Sequence, residues 1–269
     1  MQRVAIFCVT YNTYPELQRF VQSVETAARA AQATTSVALF ITDNTVTNTQ
    51  PITLTSTILR IHILQTGANL GYFGGVQRAM QGIDLNPFDY IIISNVDLTL
   101  SPDTFTRLAT FNDPDTTGWI APAILSQQTG ADRNPSLLQR YSRRRLLTLR
   151  LMFAIPSLMI LYKRFFHTRR IRRQGYPAGL HIYGGHGSFI ILTHNYIRRC
   201  GPPAYPVFLF CEELYLAEQC RRTNLSVVYY PDIRVSDTEH ASVSHIYRSR
   251  LYRYNRQAIN YILHNFYND

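Results

Sequence analysis

Apolar runs that stop abruptly in amide, hydroxyl or carboxylate side chains recur along the N-terminal third of this 269-residue chain. Val4 Ala5 Ile6 Phe7 Cys8 Val9 ends at Thr10, Tyr11 and Asn12, and Val37 Ala38 Leu39 Phe40 Ile41 ends at Thr42, Asp43 and Asn44. Tyr90 Ile91 Ile92 Ile93 ends at Ser94, Asn95, Val96 and Asp97. Apolar residues at every position, instead of every second one, predict strands buried on both faces, as in a parallel sheet. A further run from Ile58 to Leu64 leads into Asn69 Leu70 Gly71 Tyr72 Phe73 Gly74 Gly75 and a short helix through Met80. Between the first two runs, Leu17, Phe20, Val21, Val24, Ala28 and Ala31 fall on one helical face. Thr13 and Glu16 have the spacing of a capping box, with Pro15 in the first turn. Ser101 and Pro102 predict the N-cap and first residue of the helix after the fourth strand.

Strand and helix thus alternate, which predicts an α/β fold with a mostly parallel central sheet flanked by helices. Parallel strands ending in Asn12, Asp43 with Asn44, and Asn95 with Asp97 bring those groups to one edge, where open α/β sheets bind ligands. Taken singly, each is also an ordinary turn residue. The pattern resumes with a strand-like Trp119–Leu125, with Gly184 Gly185 His186 Gly187 Ser188 before Phe189–Leu192, and with Val227–Tyr230. Phe208 to Leu216 opens a helix running to about Arg222, and a Tyr- and Arg-rich helix spans about 245–266.

Charge changes the picture in the middle of the chain. The net charge is +10, and no Asp or Glu occurs between Arg133 and Cys211. Eleven basic side chains from Arg140 to Arg173 surround a seventeen-residue apolar core, Leu146–Tyr162, that contains Arg150 and is broken by Pro156. That core is too short and interrupted for a spanning helix. Basic flanks around Leu, Met, Phe and Ile fit an interfacial helix or hairpin on an anionic membrane surface, with a basic insertion folded back on the domain as the bland reading. Nucleic acid is not the expected partner, because the aromatics sit inside the apolar block and do not interleave with the arginines. Cys8, Cys200, Cys211 and Cys220 form no C-x-x-C, and the N-terminus runs straight into a strand, so a reducing cytoplasm is expected.

Candidate chemistry gathers at the strand ends. Asp97 with Asn95 two residues before it offers oxygen ligands to a hard divalent cation and, through it, to a diphosphate. The glycines at 71, 74 and 75 fit neither G-x-G-x-x-G nor a P-loop. Glu212 and Glu213 at a helix start are favoured by its dipole. Following a buried apolar segment, either could also serve as a general base. Asp237, Glu239, His240 and His245 could close a metal site.

In this order the motifs resemble the family 2 inverting glycosyltransferases with a GT-A fold, in particular the bacterial rhamnosyltransferase- and galactofuranosyltransferase-like branch. The resemblance rests on Val9–Asn12, Thr42–Asn44, Asn69–Gly71 with Gly74 and Gly75, and Ser94–Asp97, and then on Gly187 Ser188, Phe208–Leu216, Tyr230–Asp232 and His240. It covers nearly the whole chain outside about 133–180. It implies one GT-A domain: a nucleotide-sugar-binding half at 1–132, a basic amphipathic insertion at 133–180, and an acceptor and catalytic half at 181–269. It further implies that Thr10, Tyr11, Asn12, Asp43, Asn69 and Gly71 hold the nucleoside, and that Asp97 and His240 bind Mg²⁺ or Mn²⁺ with help from Asn95. Glu213, beside Glu212, falls on the catalytic base. Asn at the first position of D-x-D, Glu at the base and Tyr215 in place of a second acid depart from the family pattern.

The implied activity moves a sugar from a UDP- or dTDP-sugar donor to a hydroxyl of a lipid-linked saccharide acceptor. It would serve capsule, O-antigen or other bacterial cell-surface polysaccharide, peripheral on the inner face of the plasma membrane. The alternatives are a sugar nucleotidyltransferase, which lacks its glycine- and arginine-containing loop after the first strand, and a non-catalytic membrane- or nucleic-acid-binding module on a degenerate GT-A fold. Oligomeric state is not fixed by any of these signals.

Overall fold

A computed structural model describes residues 1–47, 52–112, 114–155, 175–238 and 248–268, omitting the Arg248 side chain. Glu239, His240, His245 and the second part of the basic insertion lie outside the described residues. Nine strands join in one sheet: β1 (Gln2–Thr10), β2 (Thr35–Asp43), β3 (Arg60–Gln65), β4 (Tyr90–Asn95), β5 (Leu98–Leu100), β6 (Thr117–Ser126), β7 (Leu180–Ile182), β8 (Phe189–Thr193) and β9 (Ser226–Asp237). The helices are α1 (Tyr14–Ala30), α2 (Tyr72–Met80), α3 (Thr104–Ala109), α4 (Arg143–Ala154), α5 (His194–Cys200), α6 (Glu212–Arg222) and α7 (Arg248–Phe266).

Strand order is β3-β2-β1-β4-β8-β6-β9-β5, with β7 also on β9. The first four strands pair in parallel, as expected for β1, β2 and β4 from their unbroken apolar runs, with the half-exposed, alternating β3 at the sheet edge. The second half is mixed: β8 runs antiparallel to both β4 and β6, β6 and β9 are parallel, and β5 and β7 close on β9 in antiparallel pairs. Both faces are covered. In β1, Val4, Ile6 and Cys8 face the layer of α1 and α3, packing with Leu17, Phe20 and Phe105, while Ala5 and Phe7 face the layer that holds Phe73 of α2, Leu216 of α6 and Ile262 of α7. Period-two alternation across a twice-buried strand therefore feeds two separate cores.

Two local expectations fail. The capping box is not made: the Thr13 hydroxyl pairs with the Thr10 hydroxyl at 3.0 Å, and Glu16 binds Arg19 at 2.9 Å. With its hydroxyl engaged by the strand-end Thr10, Thr13 caps only through its carbonyl, which accepts from Leu17. Ser101 and Pro102 form a turn that precedes α3, whose N-cap is Asp103; the Ser101 hydroxyl donates to the Asp103 carboxylate at 2.6 Å. In the insertion, α4 starts at Ser142, whose hydroxyl accepts the Arg145 N–H. Leu146 is fully buried and Leu147, Leu149 and Phe153 pack on the core, so this part of the insertion lies against the domain. No described helix is long and apolar enough to cross a membrane, and the four cysteines are free.

Candidate active site

The parallel register brings the first three strand ends together. β1 lies between β2 and β4, with Thr10 beside Asp43 and Val9 beside Asn95. Asp43 is buried and held at both oxygens: Oδ1 accepts the Thr45 N–H at 3.0 Å and Oδ2 the Tyr14 hydroxyl at 3.1 Å. Thr10 is buried beneath it, Tyr11 stands 46% exposed, and Asn12 takes a left-handed conformation (φ 56°) with its N–H on the Thr45 hydroxyl at 2.9 Å. Asn44 extends this edge to the next loop, donating to the Gly71 carbonyl at 2.9 Å and accepting the Thr66 hydroxyl at 3.2 Å. Asn69 accepts the Gly71 N–H at 3.1 Å, which fixes the turn into α2.

Gly71 is also where the two halves of the chain meet. Its φ of 77° suits glycine, and a Cβ there would stand 2.1 Å from the Phe208 carbonyl oxygen. That same carbonyl accepts the Tyr72 N–H at 3.3 Å. Tyr72 reaches on across the junction, its hydroxyl donating to the Gly187 carbonyl at 3.3 Å. Burial, followed by the charges of Glu212 and Asp97, holds its phenol well above the usual range, so it is a neutral donor between those carboxylates.

Beyond Phe208, Phe210 and Cys211 are consecutive left-handed residues (φ 75° and 62°), a costly conformation without glycine. The Phe210 carbonyl is gripped by the Tyr205 hydroxyl at 2.7 Å and its N–H by Glu212 Oε1 at 2.9 Å. This turn delivers α6 with both glutamates in its first turn. Glu212 is buried and satisfied within its own turn; burial, then the charge of Glu213, pushes it up to about 8. Glu213 instead directs its carboxylate at Gly187: a Cβ on that glycine would lie 3.5 Å from Glu213 Oε2. Burial raises Glu213 as well. The Gly187 strand entry is tied to the end of β4 too, since Asn95 donates its backbone N–H to the Ser188 carbonyl at 2.8 Å. Glu213, Tyr72 and the Asn95 backbone thus converge on the 187–188 backbone, and Asp97 follows Asn95 by two residues.

The cation expected at Asp97 can be tested against its donors. Among the described residues no group of three His, Cys, Asp or Glu side chains is placed to hold a metal. Asp97 does offer a carboxylate at the sheet edge, and its carbonyl accepts both the N–H and the hydroxyl of Thr238, at 3.3 and 2.9 Å. The pairing of β5 with β9 thus brings the chain to Asp97 two residues before His240, which itself lies outside the described residues. Oxygen donors of this kind fit a hard divalent cation. Tyr14, Tyr72, Asn44 and Ser188 are the residues that sequence reasoning left out of the site. Asn44 carried a signal in its place at a strand end, and Ser188 in the Gly187 Ser188 motif.

The sheet order, its two covered faces and the polar edge define the class: the chain has the GT-A glycosyltransferase fold. Among solved structures it is similar to TarS of S. aureus, as the 1–349 fragment (TM-score 0.54, 11% identity, 88% of this chain and 60% of that one) and as the longer chain (0.56, 12%, 99% and 40%). It is also similar to GalNAc-T7 crystallised with UDP, GalNAc and Mn²⁺ (0.55, 11%, 89% and 44%). The chain therefore spans between 40% and 60% of the lengths of these neighbours. No protein-family model and no curated protein matches the sequence.

Proposed function

We propose that this protein is an inverting glycosyltransferase of the rhamnosyltransferase- and galactofuranosyltransferase-like kind, moving a sugar from a UDP- or dTDP-sugar to a hydroxyl of a lipid-linked saccharide. Cell-surface polysaccharide, such as capsule or O-antigen, is the pathway this reading favours, with the enzyme peripheral on the inner face of the plasma membrane. The observation that carries it is that Glu213 and the backbone of Asn95, two residues before Asp97, meet one stretch of backbone at Gly187 and Ser188. A base on one side and a diphosphate-binding carboxylate on the other is the arrangement that displacement at an anomeric carbon requires. The GT-A fold and the UDP, GalNAc and Mn²⁺ in the GalNAc-T7 structure support it.

Asp43, oriented by Tyr14 and Thr45, accepts a hydrogen bond from the nucleobase, with Thr10, Tyr11 and Asn12 around the nucleoside and Asn69 and Gly71 closing its far side. Glu212, kept protonated near neutral pH by burial and then by the charge of Glu213, leaves the role of base to Glu213. Glu213 then takes the proton of the acceptor hydroxyl as it attacks opposite the leaving group. Attack from that face inverts the centre, and no covalent enzyme intermediate is needed. Mg²⁺ or Mn²⁺ held by Asp97 and His240, with Asn95 assisting, would neutralise charge on the departing diphosphate.

Calorimetric titration of UDP and dTDP, with and without Mn²⁺, on the wild type and Asp97→Ala tests the reading. Metal-dependent binding that disappears in the variant is the expected result. Failure of both nucleotides to bind under any metal condition sinks it.

A further inference from the structure

α4 and α7 lie side by side, with the rings of Phe153 and Tyr252 5.9 Å apart. Leu146, Leu149 and Phe153 turn α4 inward, which leaves Arg143, Arg144, Arg150, Leu151 and Ile155 on its outer side. α7 divides along its length. Ala258, Ile259, Ile262, Leu263 and Phe266 anchor its C-terminal half in the core, while Arg250, Arg253 and Arg256 stand exposed along one side of its N-terminal half. Neither helix contains an acidic residue. Among the described residues six large apolar side chains are exposed, and three of these, Leu138, Leu151 and Ile155, belong to this region at 47%, 53% and 43%. Apolar exposure and uncompensated positive charge therefore coincide, and that pairing matches an anionic bilayer, whose headgroups take the arginines while its acyl boundary takes the leucine and isoleucine. The neighbouring tyrosines are already committed to packing, Tyr252 on Phe153 and Tyr254 on Phe208 at 4.9 Å. They offer no open stacking surface to single-stranded nucleic acid.

We propose that α4 and the N-terminal half of α7 form one docking platform for an anionic lipid surface, an inference that rests on the transferase reading for its purpose but not for its physics. The platform adjoins the catalytic turn directly. Tyr254 packs on Phe208, whose carbonyl receives the Tyr72 N–H and lies over Gly71, two residues before the strained pair ahead of Glu212 and Glu213. A chain seated on a membrane through these helices holds its base-bearing turn next to the surface from which a lipid-linked acceptor reaches up. α7 is the new element here, since its arginines lie far in sequence from the basic insertion.

The test is co-sedimentation of the full chain with vesicles of phosphatidylcholine alone and of phosphatidylcholine with phosphatidylglycerol, at low and high salt. The variants are the triple Arg250→Gln, Arg253→Gln, Arg256→Gln and the double Leu151→Ser, Ile155→Ser. Wild type is expected to favour the anionic vesicles, less so as salt rises. The triple variant should partition about 100-fold more weakly, since each arginine near such a surface contributes roughly a factor of five. The double variant should lose the binding that survives high salt. Equal binding to both vesicle types, wild-type binding by the triple variant, or tighter binding to a single-stranded RNA than to anionic vesicles overturns the platform. UDP titration on the same samples separates the two readings: binding to UDP without binding to vesicles refutes only the platform, and the reverse refutes only the transferase.

Discussion

The two regions proposed for nucleotide binding and for catalysis are built on opposite terms. On the nucleotide side, β1, β2 and β4 end in polar groups whose positions follow from parallel register, and Asp43, Asn44 and Thr10 all have hydrogen-bonding partners. On the catalytic side, two left-handed non-glycine residues precede two carboxylates that burial holds above the ordinary range. One side is settled by backbone pairing and costs little to maintain. The other stores strain and suppressed charge, and persists because Tyr205, the Phe210 N–H and the core beneath α6 hold it. In the proposed function, recognition thus falls to the rigid edge and reactivity to the strained turn.

The sharpest way to break that division is Glu213→Gln. If the base is on the strained side alone, turnover should fall about 100- to 10,000-fold, while UDP affinity by calorimetry stays within about two-fold of wild type, inside ordinary error for an uninvolved site. The wild-type rate should also decline toward acid at a pH above the usual carboxylate range, because burial raises Glu213. Loss of nucleotide affinity in this variant would merge the two regions into one.

Gly71→Ala attacks the seam between them. Its Cβ would meet the Phe208 carbonyl oxygen at 2.1 Å, and its φ of 77° is strained for alanine. Backbone on both sides leaves nothing flexible to give way, so a loss of about 2–4 kcal/mol is expected, read as a melting temperature lower by about 5–10 °C. A change under about 1 °C would show that the halves meet loosely at this point.

The legibility of the chain divides along the same line. The nucleotide edge could be read because each strand is a continuous apolar run with a polar stop, and parallel pairing turns that local pattern into a shared location. Asp43 and Asn95 were visible for this reason, and the two glutamates as a helix start after an apolar segment. β5 and β7 were not: Leu98–Leu100 and Leu180–Ile182 are too short to carry a period and are strands only because β9 offers them an edge. Tyr14 and Tyr72 were missed because an aromatic in a first helical turn normally signals packing, and only tertiary contact turns their hydroxyls toward Asp43 and Gly187. The left-handed Phe210 and Cys211 contradict local propensity, which is how a strained functional turn escapes a sequence reading.

Glu212→Gln is the finest probe, because it should change stability without changing chemistry. Wild-type Glu212 rises from 4.5 to about 8 in the folded chain, through burial and then the charge of Glu213. The folded state therefore holds this proton more tightly than the unfolded state, and its contribution is fully present below about 4.5 and lost as pH rises through about 8. Glutamine cannot titrate, yet its amide oxygen can still accept the Phe210 N–H that Glu212 takes at 2.9 Å. Melting temperatures of variant and wild type should agree below about pH 4.5 and diverge as pH rises toward about 8, the variant leading by about 5 °C above that. Turnover should stay within a few-fold of wild type, since the base is its neighbour. A difference that is flat with pH would mean that Glu212 is ionised at ordinary cost, and the contrast between a relaxed edge and a strained turn would then rest on backbone geometry alone.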